Sequence, residues 1–238
     1  MFCRFESKGY AVINVCMAVR DRFDLTCKTL KSLASSQHPF FLNRLTFTIV
    51  DDCSQVDHFK VMKSLPNYHI IRNEESLGVG GSKNLAIEES EKRFGRGDYI
   101  LISDNDAEWS PKGLETILLA YARSKQEGIR LLGGYAHPFN GTNSVIEAGG
   151  FTIHTKNAVD GLSWLLEWET WDRYGKLMDN ARGVRQSEDW EYCQRIRNDG
   201  FEVGVVFPHV VTNLGLIDTF GDEIPGAQQV REQQGMVG

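Results

Sequence analysis

YILISDNDAEW, residues 99–109, sets four apolar side chains and a serine directly before two aspartates that flank an asparagine. A short apolar run bounded by a polar cluster reads as a strand covered on both faces, and the acids mark where it leaves the sheet. Residues two apart in an extended segment point the same way, so Asp104 and Asp106 converge on one point. Two carboxylates that close repel each other or raise a pKa unless a cation neutralises them. Two readings of the pair stay open. One is a hard divalent ion held by oxygen ligands and shared with substrate phosphates. The other is a pair of exposed turn aspartates ahead of a helix capped at Ser110.

Working outward, AVINVCMAV (11–19), LTFTIV (45–50) and YHII (68–71) read as strands before this one. Phe23, Cys27, Leu30, Leu33 and Ala34 recur at helical spacing between the first two. SKNLAIEESEKRF (82–94) is rich in good helix formers. After the acids, SPKGLETILLAYARSKQEG (110–128) reads as a helix with Ser110 as N-cap, Pro111 in its first turn and Gly128 at its end. RLLGGYA (130–136) is a fifth strand, SEDWEYCQRIRNDG (187–200) a capped helix and EVGVVF (202–207) a further strand. GLSWLLEWETWDRYGKL (161–177) is aromatic-rich, with Trp164, Trp168 and Trp171 at i, i+4 and i+7, one face of a helix. Alternation of this kind implies an α/β fold with a parallel, doubly wound sheet. Residues 216–238 are polar and weakly patterned, as expected of a lid or flexible tail.

The 238 residues suffice for one large domain, and 41% hydrophobic with 24% charged residues is an ordinary globular composition. A net charge of −6 provides no general basic field, so duplex nucleic acid is not the default partner. The opening MFCRFESKGY lacks the apolar core of a signal peptide, and no window approaches the roughly 18 apolar residues of a membrane span. Five cysteines without a C-x-x-C pair fit reduced thiols, so a cytoplasmic location is expected.

In open α/β sheets ligands bind outside the carboxyl ends of the strands. Asp51–Asp52 and Asp104–Asn105–Asp106 both fall there. SLGVGGSKN (76–84) places three glycines before a helix, either as an anion cradle or as a tight turn. It is neither a Walker A loop nor G-x-G-x-x-G, because Lys83 stands where the last glycine belongs. SEDWE (187–191) reads as an N-cap whose acids suit the helix dipole, or as the seat of a general base. The tryptophan face reads as core, or as a platform that stacks on a sugar or a base. The histidines show no paired metal spacing, and no G-x-S-x-G elbow marks a hydrolase.

In their order along the chain these pieces resemble the family 2 glycosyltransferases, over about residues 11–215. VCMAVRDR with TLKSL is similar to that family's opening strand and helix. IVDDCS resembles its "VDDgS" stretch, and NEESLGVGGSKN resembles "N-x-G-x-x-x-a-R-N" with Lys83 for the arginine. ISDNDAEWSP resembles its D-x-D strand end, and SEDWEYCQRIRNDGFEVGVV its "ED" helix and following strand. The resemblance implies a single-domain GT-A fold, a Rossmann-like, mainly parallel sheet flanked by helices. Within residues 1–215, about 10–110 would bind a nucleotide-sugar and about 130–215 the acceptor.

Roles follow residue by residue. Asp52 would accept from the donor's base, with Ala18 and Arg20 near the same nucleotide. Lys83 would lie by the base or diphosphate, Asp104 by the ribose, and Gly80 and Asn105 among the donor contacts. Asp106, with Asp104 beside it, would hold Mn2+ or Mg2+. Asp189 would be the catalytic base, with Glu188 next to it. Trp164, Trp168 and Trp190 are the candidate acceptor contacts. Where the family often carries a histidine ligand in "H-x-G", this chain reads TNLG. Asn213 stands there and His209 precedes it by four residues, so either is the candidate third ligand.

The implied activity is inverting, metal-dependent transfer from a nucleotide-sugar, a UDP-sugar by preference, to a hydroxyl of a saccharide. Three alternatives compete: transfer to a modified nucleobase in DNA, a non-catalytic nucleotide- or carbohydrate-binding module, and a sugar-phosphate nucleotidyltransferase. The last lacks support from CMAVRDR, which has no glycine.

Overall fold

The apolar run near the start forms β1 (Ile13–Val19). Ile13, Val15, Met17 and Val19 enter one core while Cys16 enters another on the opposite face. Side chains alternate across a strand, so both faces must be covered. In this computed structural model, which describes residues 11–35, 39–57, 65, 67–178 and 187–215, helices supply the cover. α1 (Phe23–Ser35) packs Leu30 and Leu33 into the first core, and the short α2 (Pro39–Leu42) adds Phe41. α3 (Gly78–Phe94) covers the second face with Ala86 and Ile87. α4 (Gly113–Ser124) returns to the first with Leu114, Ile117 and Tyr121. α5 (Trp168–Tyr174) and α6 (Glu188–Asn198) bring Trp168, Trp171, Tyr192 and Ile196 to the second. Each large apolar side chain fully buried in this way contributes about 1.5–3 kcal/mol.

Across the sheet the order is β3 (Tyr68–Arg72), β2 (Leu45–Asp51), β1, β4 (Tyr99–Ser103), β9 (Ser163–Glu167), β6 (Ile129–Gly133), β10 (Glu202–Phe207), β8 (Phe151–Lys156) and β7 (Ser144–Ala148). β8 and β9 run against the other seven. β5 (Ala107–Trp109) and β11 (Val211–Asn213) pair in a separate antiparallel ladder. The sheet is therefore mixed and mostly parallel rather than wholly parallel.

The buried amide of Asn14 ties the layers together. It donates to Thr46 Oγ1 at 3.0 Å, Ser90 Oγ at 3.1 Å and the Gly95 carbonyl at 3.2 Å, and accepts from the Gly97 N–H at 2.6 Å. A buried polar group with every partner supplied costs little and fixes register.

Three local expectations are corrected. Trp164 lies in β9 and not on a helix with Trp168 and Trp171. An apolar strand covered on both faces cannot be told from a helix by periodicity. The glycines of 78–81 belong to the first turn of α3 rather than preceding it. α4 starts at Gly113, because the Ser110 N–H pairs with the Val210 carbonyl at 2.9 Å, alongside the β5–β11 ladder. Ser110 is thus a turn residue, and left-handed Lys112 (φ 60°) precedes the helix. The expected lid or tail at 216–238 lies outside the described residues.

β1, β2, β4 and β6 finish at one edge, and β9 begins there because Ser163 pairs with Ser103. No described helix is long and apolar enough to cross a membrane.

Candidate active site

At this edge Asp52 follows β2 and is buried. Its Oδ1 accepts from the Leu77 N–H at 2.7 Å and Asn73 Nδ2 at 3.1 Å. Its Oδ2 accepts from Ser76 Oγ at 2.7 Å and the Gly78 N–H at 3.2 Å. Leu77 supplies no side-chain cap for α3, so the carboxylate of Asp52 caps that helix from a distant strand. Burial pushes the Asp52 pKa up, but hydrogen bonds from Ser76, Leu77, Asn73 and Ser82 outweigh it and hold it below the usual range. Arg20 donates to Ser76 Oγ at 2.8 Å and lies 3.9 Å from Asp52. Asp52, expected to meet a base directly, spends both oxygens on the 73–78 loop.

Lys83, on α3, is 1% exposed. Its Nζ meets Asp104 Oδ1 at 2.7 Å, Glu188 Oε1 at 3.3 Å and the Gly161 carbonyl at 3.3 Å. An ammonium has three protons, and here three acceptors take them. Burial would lower its pKa, but Asp104 and Glu188 overcome this and raise it. Lys83, expected by the base or diphosphate, here joins the strand-end acid to the N-terminus of α6. Asp104 in turn is raised by burial against the opposing pull of Lys83.

Asp106 Oδ2 pairs with Arg22 Nη1 at 2.9 Å. Burial first, then the charge of Asp104, raise the Asp106 pKa to about 6 despite Arg22. The Leu214 N–H donates to the Asp106 carbonyl at 2.8 Å. A Cβ on Gly215 would overlap Asp106 Oδ2, so a larger residue there would displace that carboxylate.

Asp189 sits in the first turn of α6. Its Oδ1 accepts from the Trp190 N–H at 2.6 Å and its Oδ2 from the Gly161 N–H at 3.2 Å. Burial, then Glu188 and Asp160, raise its pKa to about 7, against Lys83. Asp160 is held by the His137 N–H at 2.5 Å and Asn140 Nδ2 at 3.0 Å, and burial raises its pKa as well. Sequence reasoning missed Asp160 and Arg22. The only signal for Asp160 was the Asp-Gly turn dipeptide in NAVDG (157–161). Arg22 had none beyond its place at a strand's carboxyl end.

The remaining candidates divide. Ala18 is half-buried in β1, one residue before its end. Gly80 lies against the Met178 carbonyl near Glu188, and Asn105 turns its amide to Thr26 Oγ1 at 3.0 Å. Trp164 and Trp168 are 1% and 6% exposed and belong to the core, so neither offers a face to an acceptor. Trp190 is 46% exposed beside Asp189. The β5–β11 register sets Asn213 opposite Ala107, next to Asp106. His209 lies beyond the far end of that ladder, with Tyr135 and Phe207 ring centroids at 5.4 and 6.3 Å. Its pKa falls to about 4 through burial and then Lys156 and His154. Of the two candidate third ligands, only Asn213 adjoins Asp106. Among the described residues no three His, Cys, Asp or Glu side chains stand close enough together to hold a metal ion.

Residues 14–130 match the family described as "Glycosyl transferase family 2". No curated protein matches the sequence significantly. Among solved structures, the mannosyltransferase PcManGT from Pyrobaculum calidifontis, in complex with GDP-Man and Mn2+, superposes with TM-score 0.61 at 14% identity, over 83% of this chain and 57% of that one. TarS 1-349 of S. aureus in complex with UDP-GlcNAc gives TM-score 0.61 at 14% identity, over 84% and 57%. GalNAc-T7 with UDP, GalNAc and Mn2+ gives 0.62 at 14%, over 84% and 43%. The chain thus spans less than three-fifths of each of these structures. Residues 14–130 thus carry the pattern of glycosyl transferase family 2, and the chain shares the GT-A architecture of these glycosyltransferases.

Proposed function

We propose that the protein is an inverting, metal-dependent glycosyltransferase that moves a sugar from a nucleotide-sugar to an acceptor hydroxyl, with Asp189 as its base. The observation that carries this reading is one carboxylate poised near neutrality, Asp189, linked through Glu188 and Lys83 to the acid at the D-x-D strand end. A base with a pKa near the working pH combines a useful ionised fraction with driving force for proton transfer. Gly161 and Trp190 fix the carboxylate through backbone donors, so its orientation needs no substrate to set it.

Asp189 takes the proton of the acceptor hydroxyl as that oxygen attacks the anomeric carbon. The attack comes opposite the departing diphosphate, which inverts the configuration. Exposed Trp190 and Phe139 flank the side from which an acceptor approaches, Phe139 next to Asn140 and so to Asp160. Such faces suit a saccharide ring. Trp164, Trp168 and Trp171, the face offered equally to a sugar or a flipped nucleobase, are buried and support neither acceptor.

The residues fit a divalent cation. Asp106 is a hard oxygen donor, and its charge is answered here by a guanidinium standing where a cation belongs. Among the described residues no third His, Cys, Asp or Glu joins Asp104 and Asp106, which suits a metal that shares its coordination with substrate phosphates. Asp106, with Asp104 beside it, would hold Mn2+ or Mg2+, as Mn2+ accompanies the donor or nucleotide in two of the similar structures. When bound, the ion neutralises charge on the diphosphate leaving group.

The test is donor hydrolysis and transfer across UDP-, GDP- and TDP-sugars with Mn2+. Asp189→Asn is expected to lose about 10²–10⁴-fold in turnover while donor binding persists. Full activity in that variant would remove Asp189 from the role. Pyrophosphate release from a nucleoside triphosphate would favour the nucleotidyltransferase instead.

A further inference from the structure

Arg22 is held in an unusual way. Asp21 and Arg22 are consecutive non-glycine residues with positive φ, 47° and 50°. Each such residue costs about 1–2 kcal/mol relative to an ordinary conformation, and such strain persists only where the surroundings over-determine it. Here they do. The Asp21 N–H donates to Ser54 Oγ at 2.8 Å, and Asp21 Oδ1 accepts from the Gln55 N–H at 2.8 Å. The Arg22 carbonyl accepts from the Thr26 N–H at 3.0 Å and Thr26 Oγ1 at 3.3 Å. The result aims the guanidinium inward at Asp106 rather than out to water. The pair is largely buried, at 19% and 14% side-chain exposure.

A largely buried ion pair is weak evidence of a stabilising device, because desolvation offsets its attraction. Its value must lie elsewhere. Gly215 closes over both partners: a Cβ there would overlap Asp106 Oδ2 and stand 2.9 Å from Arg22 Nη1. Oδ2 is thus taken up by the guanidinium, with the Gly215 backbone close to both. A dication and a guanidinium on one carboxylate also repel. A diphosphate changes the balance, because it gives the guanidinium an anion whose geometry matches its planar fork.

We propose that Arg22 is a donor-site residue that exchanges partners: it neutralises Asp106 in the empty site and passes to the diphosphate when donor and metal enter. This rests on the reading of Asp106 as the metal ligand. The exchange makes metal and nucleotide binding mutually dependent. Metal alone must displace Arg22 with no compensation, whereas metal with diphosphate leaves every charge paired. By linkage each then raises the affinity for the other by the same factor.

The experiment titrates Mn2+ into the protein, followed by electron paramagnetic resonance of the free ion, alone and with saturating UDP or, in parallel, GDP. Wild type is expected to bind Mn2+ weakly alone and at least about tenfold more tightly with the cognate nucleotide. Arg22→Gln is expected to bind Mn2+ alone about tenfold more tightly than wild type and to lose most of the nucleotide enhancement. Arg22→Lys keeps the charge but not the fork. It is expected to bind Mn2+ alone as wild type does, yet to bind the nucleotide less tightly with Mn2+ present. Far-ultraviolet circular dichroism checks that the variants fold. If Arg22→Gln binds Mn2+ alone no more tightly than wild type, the exchange is overturned while the metal assignment stands. If Asp106→Asn binds Mn2+ undiminished, the metal assignment fails and the exchange fails with it.

Discussion

Asp52 and Asp189 stand at the same edge of the sheet, both at the mouth of a helix, and their surroundings drive them in opposite directions. Asp52 receives four hydrogen bonds from one loop and is held below the ordinary carboxylate range. Asp189 receives two backbone donors, faces Glu188 and Asp160, and is lifted to about 7. Asp52 is buried and Asp189 half-buried, so burial alone does not separate a structural acid from a reactive one. The number of donors and the sign of the neighbouring charges do.

The comparison breaks most severely at the cation between the two regions. Lys83→Met is expected to cost about 3–5 kcal/mol, because Asp104 and Glu188 are left as uncompensated charges at the same point. Urea unfolding at pH 8 measures it, and Lys83→Arg is expected to recover part of the loss.

Next come the two acids, with opposite signs. Asp52→Ala strips the acceptor from the start of α3 and is expected to cost about 1–3 kcal/mol above pH 5. Since its folded pKa lies below the unfolded value, the stability Asp52 supplies is present above that unfolded value and is lost as pH falls through the folded one. Asp189 is reversed. Between about 4 and 7 the folded state keeps a proton that the unfolded state has released, so stability falls as pH rises through that window. Asp189→Asn is therefore expected to raise stability at pH 8, on the order of 1–3 kcal/mol, while turnover falls about 10²–10⁴-fold. Equal destabilisation by both variants would erase the distinction.

The smallest effect is a displacement of the pH profile. Transfer is expected to rise with pH through about 7, as Asp189 ionises. Glu188, Asp160 and Lys83 are the charged groups that act on it. Asp160→Asn removes one negative neighbour and is expected to shift the acid limb of kcat/KM down by roughly half a unit to one unit. An unmoved limb would show that Asp160 serves the loop alone.

Strands with one neighbour sequence on each side were legible from local pattern. β1, β2 and β4 carry apolar runs that end in polar residues, and their ends locate the acids in the sequence itself. β9 was not legible. Its Trp164, Leu165 and Leu166 are all buried, so no period of two is visible, and the next tryptophans completed a helical spacing by accident of the strand–helix junction. The site behaved the same way. Acids announced themselves by position, but their partners are remote: 84 residues separate Arg22 from Asp106, and 105 separate Lys83 from Glu188. Nothing in a local window distinguishes a lysine that binds a ligand from one that is wholly consumed by the protein.

Gly161 uses both ends of its residue at once, its N–H on Asp189 and its carbonyl on Lys83. A Cβ there would stand 2.7 Å from Lys83 Nζ and 3.7 Å from Asp189 Cβ. For anyone redesigning acceptor choice, this divides the neighbourhood into editable and forbidden ground. Phe139 and Trp190 are open to water and can be exchanged for other surfaces without unsettling the interior. A side chain at position 161 would have to push the Lys83 ammonium off its acceptors, so a library that diversifies it disturbs the Lys83–Asp104–Glu188 link before it tests any acceptor.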